Sequence, residues 1–153
     1  MKHTFFMEKN TTLYIGADHA GFTQKEKLKI ALEKYLHRVV DLSAPIKNDS
    51  DDYPIIASKV ARAVLKNPKS KGILLCGSGQ GVCIAANRIK GIRAAIAWNP
   101  QSAVASRNDD DANILCLGAR FFTSQQLLTM TRVWLQTPFS KLARHKRRIK
   151  LLK

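Results

Sequence analysis

Residues 74–81 read Leu74-Leu75-Cys76-Gly77-Ser78-Gly79-Gln80-Gly81, and we interpret the rest of the chain as a scaffold around this stretch. The apolar run that begins at Ile73 ends in a cysteine, three glycines follow at alternate positions, and Val82 to Ile89 is typical of a helix. A strand, a glycine loop and a helix N-terminus in succession expose several backbone N–H groups at one point, where an anion or a developing oxyanion can bind. We therefore predict a binding or catalytic site at this turn, with the thiol of Cys76 facing the loop.

Strand-like and helix-like segments alternate along the rest of the chain. The predicted strands are Leu13 to Ile15, Val39 to Val40, Ile73 to Cys76, Arg93 to Ala97 and Ile114 to Leu117. Helices are predicted between them, the first ending at about His37 and the fourth running from Pro100 to about Arg107, with a polar loop at Asn108 to Asp111. This alternation indicates right-handed strand–helix–strand units and a parallel sheet. The prediction is an α/β fold, a three-layer αβα doubly wound (Rossmann-like) five-stranded parallel sheet in the order 2-1-3-4-5, followed by a C-terminal basic helix.

Length and composition indicate one domain. The chain has 153 residues, of which 45% are apolar, and this suits a full hydrophobic core. We predict a single domain over 1–153, with the αβα core at 12–137 and the basic helix at 138–153. No apolar run reaches the roughly 18–20 residues that span a membrane, and residues 1–12 lack the apolar core of a signal peptide. The expected location is the cytoplasm, with no membrane partner.

Two polar segments are predicted to meet at one edge of the sheet. Order 2-1-3-4-5 places the carboxyl ends of the first and third strands side by side at the topological switch point, where ligands bind. Those ends carry Asp18-His19 and Cys76 with its glycine loop. One interpretation makes Asp18-His19 turn residues after the first strand, with Asp18 as the cap of the following helix. The other gives them hydrogen bonds to substrate hydroxyls and proton transfer by His19.

The glycine loop matches neither common nucleotide-binding signature. A P-loop needs Gly-x-x-x-x-Gly-Lys-Ser/Thr and a dinucleotide fingerprint needs Gly-x-Gly-x-x-Gly, whereas the spacing here is Gly-x-Gly-x-Gly. A partial match to the dinucleotide-binding pattern follows the first strand: Gly16 and Gly21 stand in its glycine turn, and Asp41 stands in the place of the ribose-binding acid. However, Asp18 and His19 stand where the backbone should approach a pyrophosphate. We therefore expect no nucleotide cofactor.

Three cysteines are present, Cys76, Cys83 and Cys116, and their spacing fits neither a zinc site nor a Cys-x-x-Cys redox motif. We expect reduced thiols, with Cys83 and Cys116 as small buried apolar residues, and neither a metal nor any other cofactor. Two roles are open to Cys76. It is either a nucleophile with His19 as its base, or a general base whose product oxyanion is held by the loop amides.

The charge of the chain indicates an anionic partner, and a phosphorylated metabolite, RNA and an acidic surface all fit. The formal charge is +15, with 26 Lys and Arg, and much of the excess lies between Lys141 and Lys153. Arg144 and Arg148 share one helix face at i, i+4 and are spaced to clamp a phosphate. The alternatives are a solvated basic face and a non-specific RNA-binding tail. Nucleic acid is disfavoured because the tail has no stacking aromatic beyond Phe139.

Eight short pieces of the chain form a specific pattern by their order and spacing: Gly16 to Gly21, Asp52 to Pro54, Cys76 to Gly81, Ala85 to Arg88, Gly91 to Ala94, Ala112-Asn113, Leu117 to Arg120 and Arg144-His145. Together they resemble the ribose-5-phosphate isomerase type B family, which also contains allose-6-phosphate and galactose-6-phosphate isomerases. The resemblance runs from Leu13 to about Ile149. It implies an intramolecular oxidoreductase of carbohydrate metabolism, an aldose–ketose isomerase that uses no metal and works through a cis-enediolate.

The resemblance also implies roles for individual residues. Cys76 would be the base that moves a proton between C2 and C1 of D-ribose 5-phosphate, giving D-ribulose 5-phosphate in the pentose phosphate pathway. The Ser78 hydroxyl and backbone N–H groups would stabilise the enediolate, the latter from Gly77, Ser78, Gly79, Gln80 and Gly81. The other implied contacts to the sugar phosphate are Asp18, His19, Tyr53, Arg120, Arg144 and Arg148. In the family the site lies between two subunits, so we expect a homodimer with a shared active site, or a tetramer of two such dimers.

One position departs from the family pattern. Isomerases of this type carry a His-Asn pair after the fourth helix, and that His opens the sugar ring, whereas this chain has Asp109 and Asp110. A carboxylate can accept the proton of the anomeric hydroxyl but is a poor donor to the ring oxygen. Ring opening then falls to Asp109, to His19 or to water, unless the substrate arrives open-chain; Asp110 is assigned to substrate binding. The alternative functions are an isomerase of a six-carbon sugar phosphate and a non-catalytic sugar-phosphate or RNA-binding protein.

Overall fold

The computed structural model describes residues 11–36 and 38–152. Its strands are β1 (Leu13–Ala17), β2 (Val39–Asp41), β3 (Lys71–Cys76), β4 (Ala94–Ile96) and β5 (Ile114–Gly118). Its helices are α1 (Phe22–Glu33), α2 (Tyr53–Lys66), α3 (Gln80–Asn87), α4 (Pro100–Asp110), α5 (Ser124–Gln136) and α6 (Ala143–Leu151). Helix α1 therefore ends before its predicted limit at His37, a residue that lies outside the described ones, as do 1–10 and Lys153.

The strands form one parallel sheet in the order β2-β1-β3-β5-β4. The predicted α/β fold is confirmed, but the predicted order 2-1-3-4-5 is wrong at one edge, because β5 rather than β4 pairs with β3. Burial gives the physical reason. Strand β5 is buried along its whole length, whereas β4 is only half-buried, and a strand covered on both faces belongs inside a parallel sheet.

Helices cover both faces of the sheet and complete the three layers. Successive side chains of a strand point to opposite faces, so Leu75 of β3 enters one core and Leu74 enters the other. The first core packs the sheet against α1 and α5, chiefly through Leu28, Leu32, Leu127, Met130 and Trp134. The second packs it against α2 and α3, chiefly through Ile56, Val60, Val64, Val82 and Ala86. The first turns of α2, α3 and α5 consequently lie at the carboxyl edge of the sheet.

Helix α4 is longer than the sequence predicted. The loop expected at Asn108 to Asp111 is wrong, because α4 continues through Asp110 and only Asp111, at φ 48°, caps it. Carboxylates are unfavourable at the negative end of a helix dipole. Here the carboxylate of Asp111 pairs with Arg107 (2.6 Å) and with Arg93 (3.1 Å), which compensates that charge.

The predicted basic helix is present as α6, and it packs against α4. Its approach is fixed by the backbone N–H of Ser140, which donates to the carbonyl of Asn108 at 3.0 Å. Over residues 11–36 and 38–152, none of the helices combines the length and the apolar character that crossing a bilayer requires.

Candidate active site

The carboxyl ends of β1, β3 and β5 bring the predicted reactive segments together. The backbone N–H of Asp18 donates to the carbonyl of Leu75 at 3.3 Å, so the Asp18-His19 segment lies beside the end of β3. Cys76 ends β3 and pairs with Gly118 of β5. This register places Arg120, two residues beyond Gly118, against the same loop. The two predicted segments therefore meet at the switch point, because β1 and β3 are neighbours in the sheet despite the exchange of β4 and β5.

The glycine loop directs a backbone amide at the sulfur of Cys76. The N–H of Gly79 donates to Cys76 Sγ at 3.1 Å, and the N–H of Gln80 donates to Ser78 Oγ at 3.2 Å. Gly79 holds φ 80°, and a Cβ there would lie 2.8 Å from the carbonyl carbon of Leu117. Only glycine fits this position, because both the left-handed backbone and the contact with β5 exclude a side chain. The thiol thus lies at an amide-rich turn on the N-terminus of α3.

Tyr53 and Arg120 border this loop on two sides. The ring of Tyr53, the first residue of α2, lies over Gly81, where a Cβ would come within 2.8 Å of the ring. The guanidinium of Arg120 lies over Gly77, where a Cβ would also come within 2.8 Å of it, and the backbone N–H of Arg120 donates to the Gly77 carbonyl at 3.0 Å. Two glycines thus give an aromatic ring and a cation close access to the loop.

His19 has a partner that the sequence did not reveal. Asp51 Oδ1 accepts the backbone N–H of His19 at 2.9 Å and also lies 2.9 Å from its Nδ1. The hydrogen bond with Asp51 is the main cause that raises the pKa of His19; burial lowers it less, and the charges of Asp18, Asp51 and Asp49 raise it further. Asp18 is buried, and its carboxylate accepts the N–H of Gly21 at 3.0 Å. Asp18 therefore stabilises the turn, but the prediction that it caps α1 is wrong, because Gly21 is the N-cap and no side chain caps the helix.

The carboxylate of Asp41, which stood in the place of a ribose-binding acid in the sequence pattern, is hydrogen-bonded to other groups of the protein. Its carboxylate accepts from Lys25 at 2.6 Å, from Lys29 at 3.3 Å and from the N–H of Ser43 at 3.0 Å. The hydroxyl of Ser43 in turn accepts the N–H of Ala17 at 2.9 Å. This network fixes the end of β1 just before Asp18, which is a structural use of the carboxylate.

Four predicted site residues lie far from Cys76 within one chain. Asp109 and Asp110 end α4 at the amino edge of the sheet, where the side chain of Arg93 donates to the Asp110 carbonyl at 3.0 Å. Strand β5 separates the two edges, and five residues at about 3.3 Å each give roughly 16 Å. Arg144 and Arg148 are exposed on α6 at the same amino edge. One chain therefore does not bring these four residues to the thiol.

The amino-edge group also contains a buried histidine that links α4 and α6. His145 Nδ1 lies 2.7 Å from the Ser140 hydroxyl, and His145 Nε2 accepts from Arg144 Nε at 3.3 Å. His145 Nε2 lies 3.8 Å from an Asp109 carboxylate oxygen, which also accepts from Asn108 at 2.6 Å. These contacts fix Asp109 and Arg144 relative to one another.

All three cysteines are free thiols. Cys116 is fully buried in β5, and burial is the main cause that raises the pKa of its thiol. Cys83 is half-buried on α3 and lies 3.4 Å from the carbonyl of Ala94. In the part of the chain that the structure describes, His, Cys, Asp and Glu side chains form no cluster of three or more suited to a metal ion.

An exposed apolar patch adjoins the glycine loop. Its members are Ile84, Trp98 and Phe121, whose exposed fractions are 67%, 65% and 67%. Together with Ser78, Gln80 and Cys83 of the loop and α3, they line a cavity of about 490 Å³. Large exposed apolar surfaces of this kind are typical of protein interfaces. The patch lies at the carboxyl edge, on the side of the thiol.

Comparison with known proteins relates the whole sheet and α6 to one family. A family model described as Ribose/Galactose Isomerase matches residues 13–152. The probable ribose-5-phosphate isomerase B of Mycoplasma pneumoniae is 39% identical over 143 residues, which cover 94% of this chain and 93% of that protein. The ribose-5-phosphate isomerase B of Mycobacterium tuberculosis strain H37Rv is 38% identical over 140 residues, covering 92% and 86%.

Solved structures agree with the sequence comparison. Ribose-5-phosphate isomerase B from Mycoplasma genitalium, solved with bound ribulose-5-phosphate, superposes with a TM-score of 0.89 at 39% identity and covers 95% of each chain. The ribose 5-phosphate isomerase of Thermotoga maritima gives a TM-score of 0.88 at 40% identity, covering 94% of this chain and 97% of that one.

Proposed function

The chain belongs to the Ribose/Galactose Isomerase family and is an isomerase enzyme, and from this membership we propose that it interconverts D-ribose 5-phosphate and D-ribulose 5-phosphate. The observation that carries the proposal is the hydrogen bond from the Gly79 amide to Cys76 Sγ, at 3.1 Å. It places a thiol and an amide-rich loop at one point, which proton transfer next to a carbonyl requires.

In this proposal Cys76 is the base. The thiolate takes the C2 proton of the open-chain aldose, and the electron pair of the broken C–H bond forms the C1–C2 double bond of a cis-enediolate. The carbonyl π pair moves to O1 at the same time. The O2 hydroxyl proton then passes to O1 and the thiol returns its proton to C1, which gives the ketose with its carbonyl at C2 and balances protons and electrons. The enediolate oxygen is stabilised by the Ser78 hydroxyl and by the amides of 77–81, because fixed N–H dipoles stabilise charge as it develops.

The remaining carboxyl-edge residues hold the sugar. Asp18 and His19 lie beside the end of β3 and provide polar contacts to its hydroxyls, while the Tyr53 ring and the Arg120 guanidinium border the loop. Each lies on the first turn of a helix or directly after a strand. Their positions are therefore fixed by the sheet, as a site that must orient a small substrate requires.

We further propose that a second copy of the chain completes the site. Asp109, Asp110, Arg144 and Arg148 lie at the amino edge, roughly 16 Å along the sheet from the thiol, so they reach a substrate only at the site of a neighbour. The apolar patch beside the loop is the surface that a partner would cover. The assembly is a homodimer with shared sites, or two such dimers paired, working in the cytoplasm within the pentose phosphate pathway.

A six-carbon sugar phosphate is the second candidate substrate, and Asp109 is the observation that favours it. This residue, partly exposed at the end of α4, replaces the ring-opening histidine of the family pattern. A comparison of kcat/KM across five- and six-carbon aldose phosphates decides between the two. The proposal expects the highest value with D-ribose 5-phosphate.

The replacement of Cys76 tests the proposed base. Because general base catalysis contributes about 10²–10⁴-fold, Cys76→Ala should lower kcat by that amount and should equally slow exchange of the C1 proton of D-ribulose 5-phosphate into D₂O. Proton NMR follows the exchange directly. Cys83→Ala is the matched control, since it removes a half-buried thiol from the adjacent helix, and its activity should be close to wild type. Exchange that persists in folded Cys76→Ala excludes Cys76 as the base.

A further inference from the structure

Asp51 and His19 are joined by two contacts from one oxygen. Oδ1 of Asp51 accepts the backbone N–H of His19 and lies 2.9 Å from Nδ1 of the ring. The two residues are 32 positions apart, so the pair ties the loop before α2 to the end of β1. The side chain of Asp51 is 16% exposed and that of His19 is 36% exposed. The pair therefore lies at the surface of the site, with the carboxylate on its inner side.

The pairing assigns the protons of the imidazole. A carboxylate only accepts hydrogen bonds, so the nitrogen facing it, Nδ1, carries a hydrogen. Among the described residues Nε2 of His19 has no hydrogen-bond partner. The nitrogen that remains available to a ligand is therefore Nε2, which accepts when the ring is neutral and donates when it is protonated.

The second contact fixes the backbone as well as the ring. The N–H of Asp18, directly before His19, donates to Leu75, the residue before Cys76. Asp51 thus restrains both the main chain and the imidazole of His19, next to a segment that is hydrogen-bonded to the end of β3. A freely rotating imidazole would not keep this geometry.

We propose that Asp51 is a positioning residue for the isomerase: its carboxylate orients His19 so that Nε2, rather than Nδ1, faces the sugar phosphate. The inference rests on the proposed function for its substrate. Asp51 itself does not touch the substrate in this account and acts through His19.

The electrostatics of the loop support the same arrangement. The bond to Asp51 raises the pKa of His19 above its usual value, burial opposes this, and the charges of Asp18 and Asp49 add to it. Lys47 pairs with Asp49 at 2.7 Å and so neutralises part of that more distant charge. A protonated His19 presents an N–H at Nε2, which is the form that an anionic ligand favours.

An NMR titration of His19 tests the contact between Asp51 and His19 without any measurement of enzyme activity. The chain has four histidines, so their Cε1 protons can be followed by NMR, with His19→Asn identifying the signal. In the wild type the midpoint should lie above about 6.5, the usual histidine value, and in Asp51→Asn it should fall. Asp49→Asn is the matched control in the same loop, and its midpoint should change less. A midpoint that is equal in wild type and Asp51→Asn overturns the proposal.

Kinetics then tests what the orientation does. Asn keeps an acceptor oxygen but no charge, so Asp51→Asn should raise KM for D-ribose 5-phosphate mainly at pH values between the two His19 midpoints. Ala removes the acceptor too, and Asp51→Ala should lower kcat/KM by about 10- to 100-fold at every pH, as misplaced groups do.

A purely structural role predicts a lower Tm in both variants with unchanged KM and pH profile, and that result contradicts the inference. If wild type does not isomerise the sugar, the proposed function fails while the titration result stands.

Discussion

At the scale of single residues, Gly79 determines the geometry of the thiol. It combines φ 80°, which strains any residue with a side chain, with a contact that leaves no room for Cβ beside Leu117. Its amide is the group that donates to Cys76 Sγ. A change at this residue is therefore expected to act on stability and, in the proposed mechanism, on catalysis as well.

Gly79→Ala should be destabilising and should lower kcat. A positive φ costs a non-glycine residue about 1–2 kcal/mol, the overlap with β5 adds to that, and a displaced amide can cost about 10²-fold in rate. Urea unfolding and isomerase assays measure both effects. The matched control is Gly91→Ala, which has φ 92° but meets only the flexible end of Leu65. It should lose stability while keeping kcat, and equal losses of kcat in the two variants contradict this account.

Residues next to a motif were predictable, and residues brought by a distant loop were not. Asp18 and His19 follow a strand and Cys76 is the last residue of one, so the strand pattern placed all three at one edge. Asp51 lies in a polar loop without periodicity, and its contact with His19 depends on how that loop closes over 32 residues. Sequence patterns predict how residues near one another in the chain are arranged, whereas this contact joins residues that are far apart in the sequence. The acidic run at Asp49, Asp51 and Asp52 was the only sign of it.

At the scale of elements, a buried ion pair joins α1 to β2. Lys25 is fully buried on α1 and pairs with Asp41 at the end of β2 and with Glu26. Burial, the largest effect on the pKa of Asp41, raises it, but hydrogen bonds from Lys25 and Ser43 outweigh burial and hold the pKa below its usual range. Since Ser43 also accepts the N–H of Ala17, this pair positions the end of β1.

Asp41→Asn should destabilise the fold by up to about 3 kcal/mol at pH 7, because it leaves the buried ammonium of Lys25 with Glu26 as its remaining carboxylate partner. A lowered pKa in the folded state means that the stabilisation is present above about pH 4 and is lost as the pH falls through the folded-state value. The difference from wild type in urea unfolding should therefore shrink below pH 4. Asp49→Asn, which breaks only the exposed pair with Lys47, should change stability little. A difference that is independent of pH contradicts the assigned pair.

Whether a segment is a helix or a strand was predictable from its periodicity, whereas the order of the strands in the sheet was less predictable. The exchange of β4 and β5 was missed because both are short apolar strands, although the continuous apolar run of Ile114–Gly118 is the one that suits a central position. The extension of α4 was missed because three aspartates in a row resemble a loop. Contacts of Arg93 and Arg107 with Asp111 stabilise the helix end, and no local sequence pattern predicts these contacts.

At the scale of the whole molecule, the charges and the apolar patch lie at different edges of the sheet. The patch of Ile84, Trp98 and Phe121 adjoins the glycine loop, whereas Arg144 and Arg148 lie beside α4 at the other edge. An isologous dimer contacts the same surfaces on both copies, so it can bring the amino edge of one chain to the carboxyl edge of the other. The sequence predicted an anionic ligand from its charge. The sharing of a site came only from the resemblance, because nothing in a single chain's pattern specifies a partner.

Mixing two impaired variants, assayed at a substrate concentration well below KM, tests this arrangement. Cys76→Ala damages the carboxyl edge, and the double variant Arg144→Ala/Arg148→Ala damages the amino edge, where losing charged hydrogen bonds worth about 1.5–3 kcal/mol each should raise KM by tenfold or more. If each site uses both edges from different copies, a mixed dimer contains one intact site, and co-expression with two affinity tags should recover about half of the wild-type activity per mixed dimer.

Mixing Cys76→Ala with Gly79→Ala is the control, since both changes lie at the carboxyl edge and each mixed site keeps one of them. Recovery should then be absent. Because a site built within one chain would leave every site of the first mixture damaged, failure of that mixture to regain activity would show that the arginines serve their own chain or none.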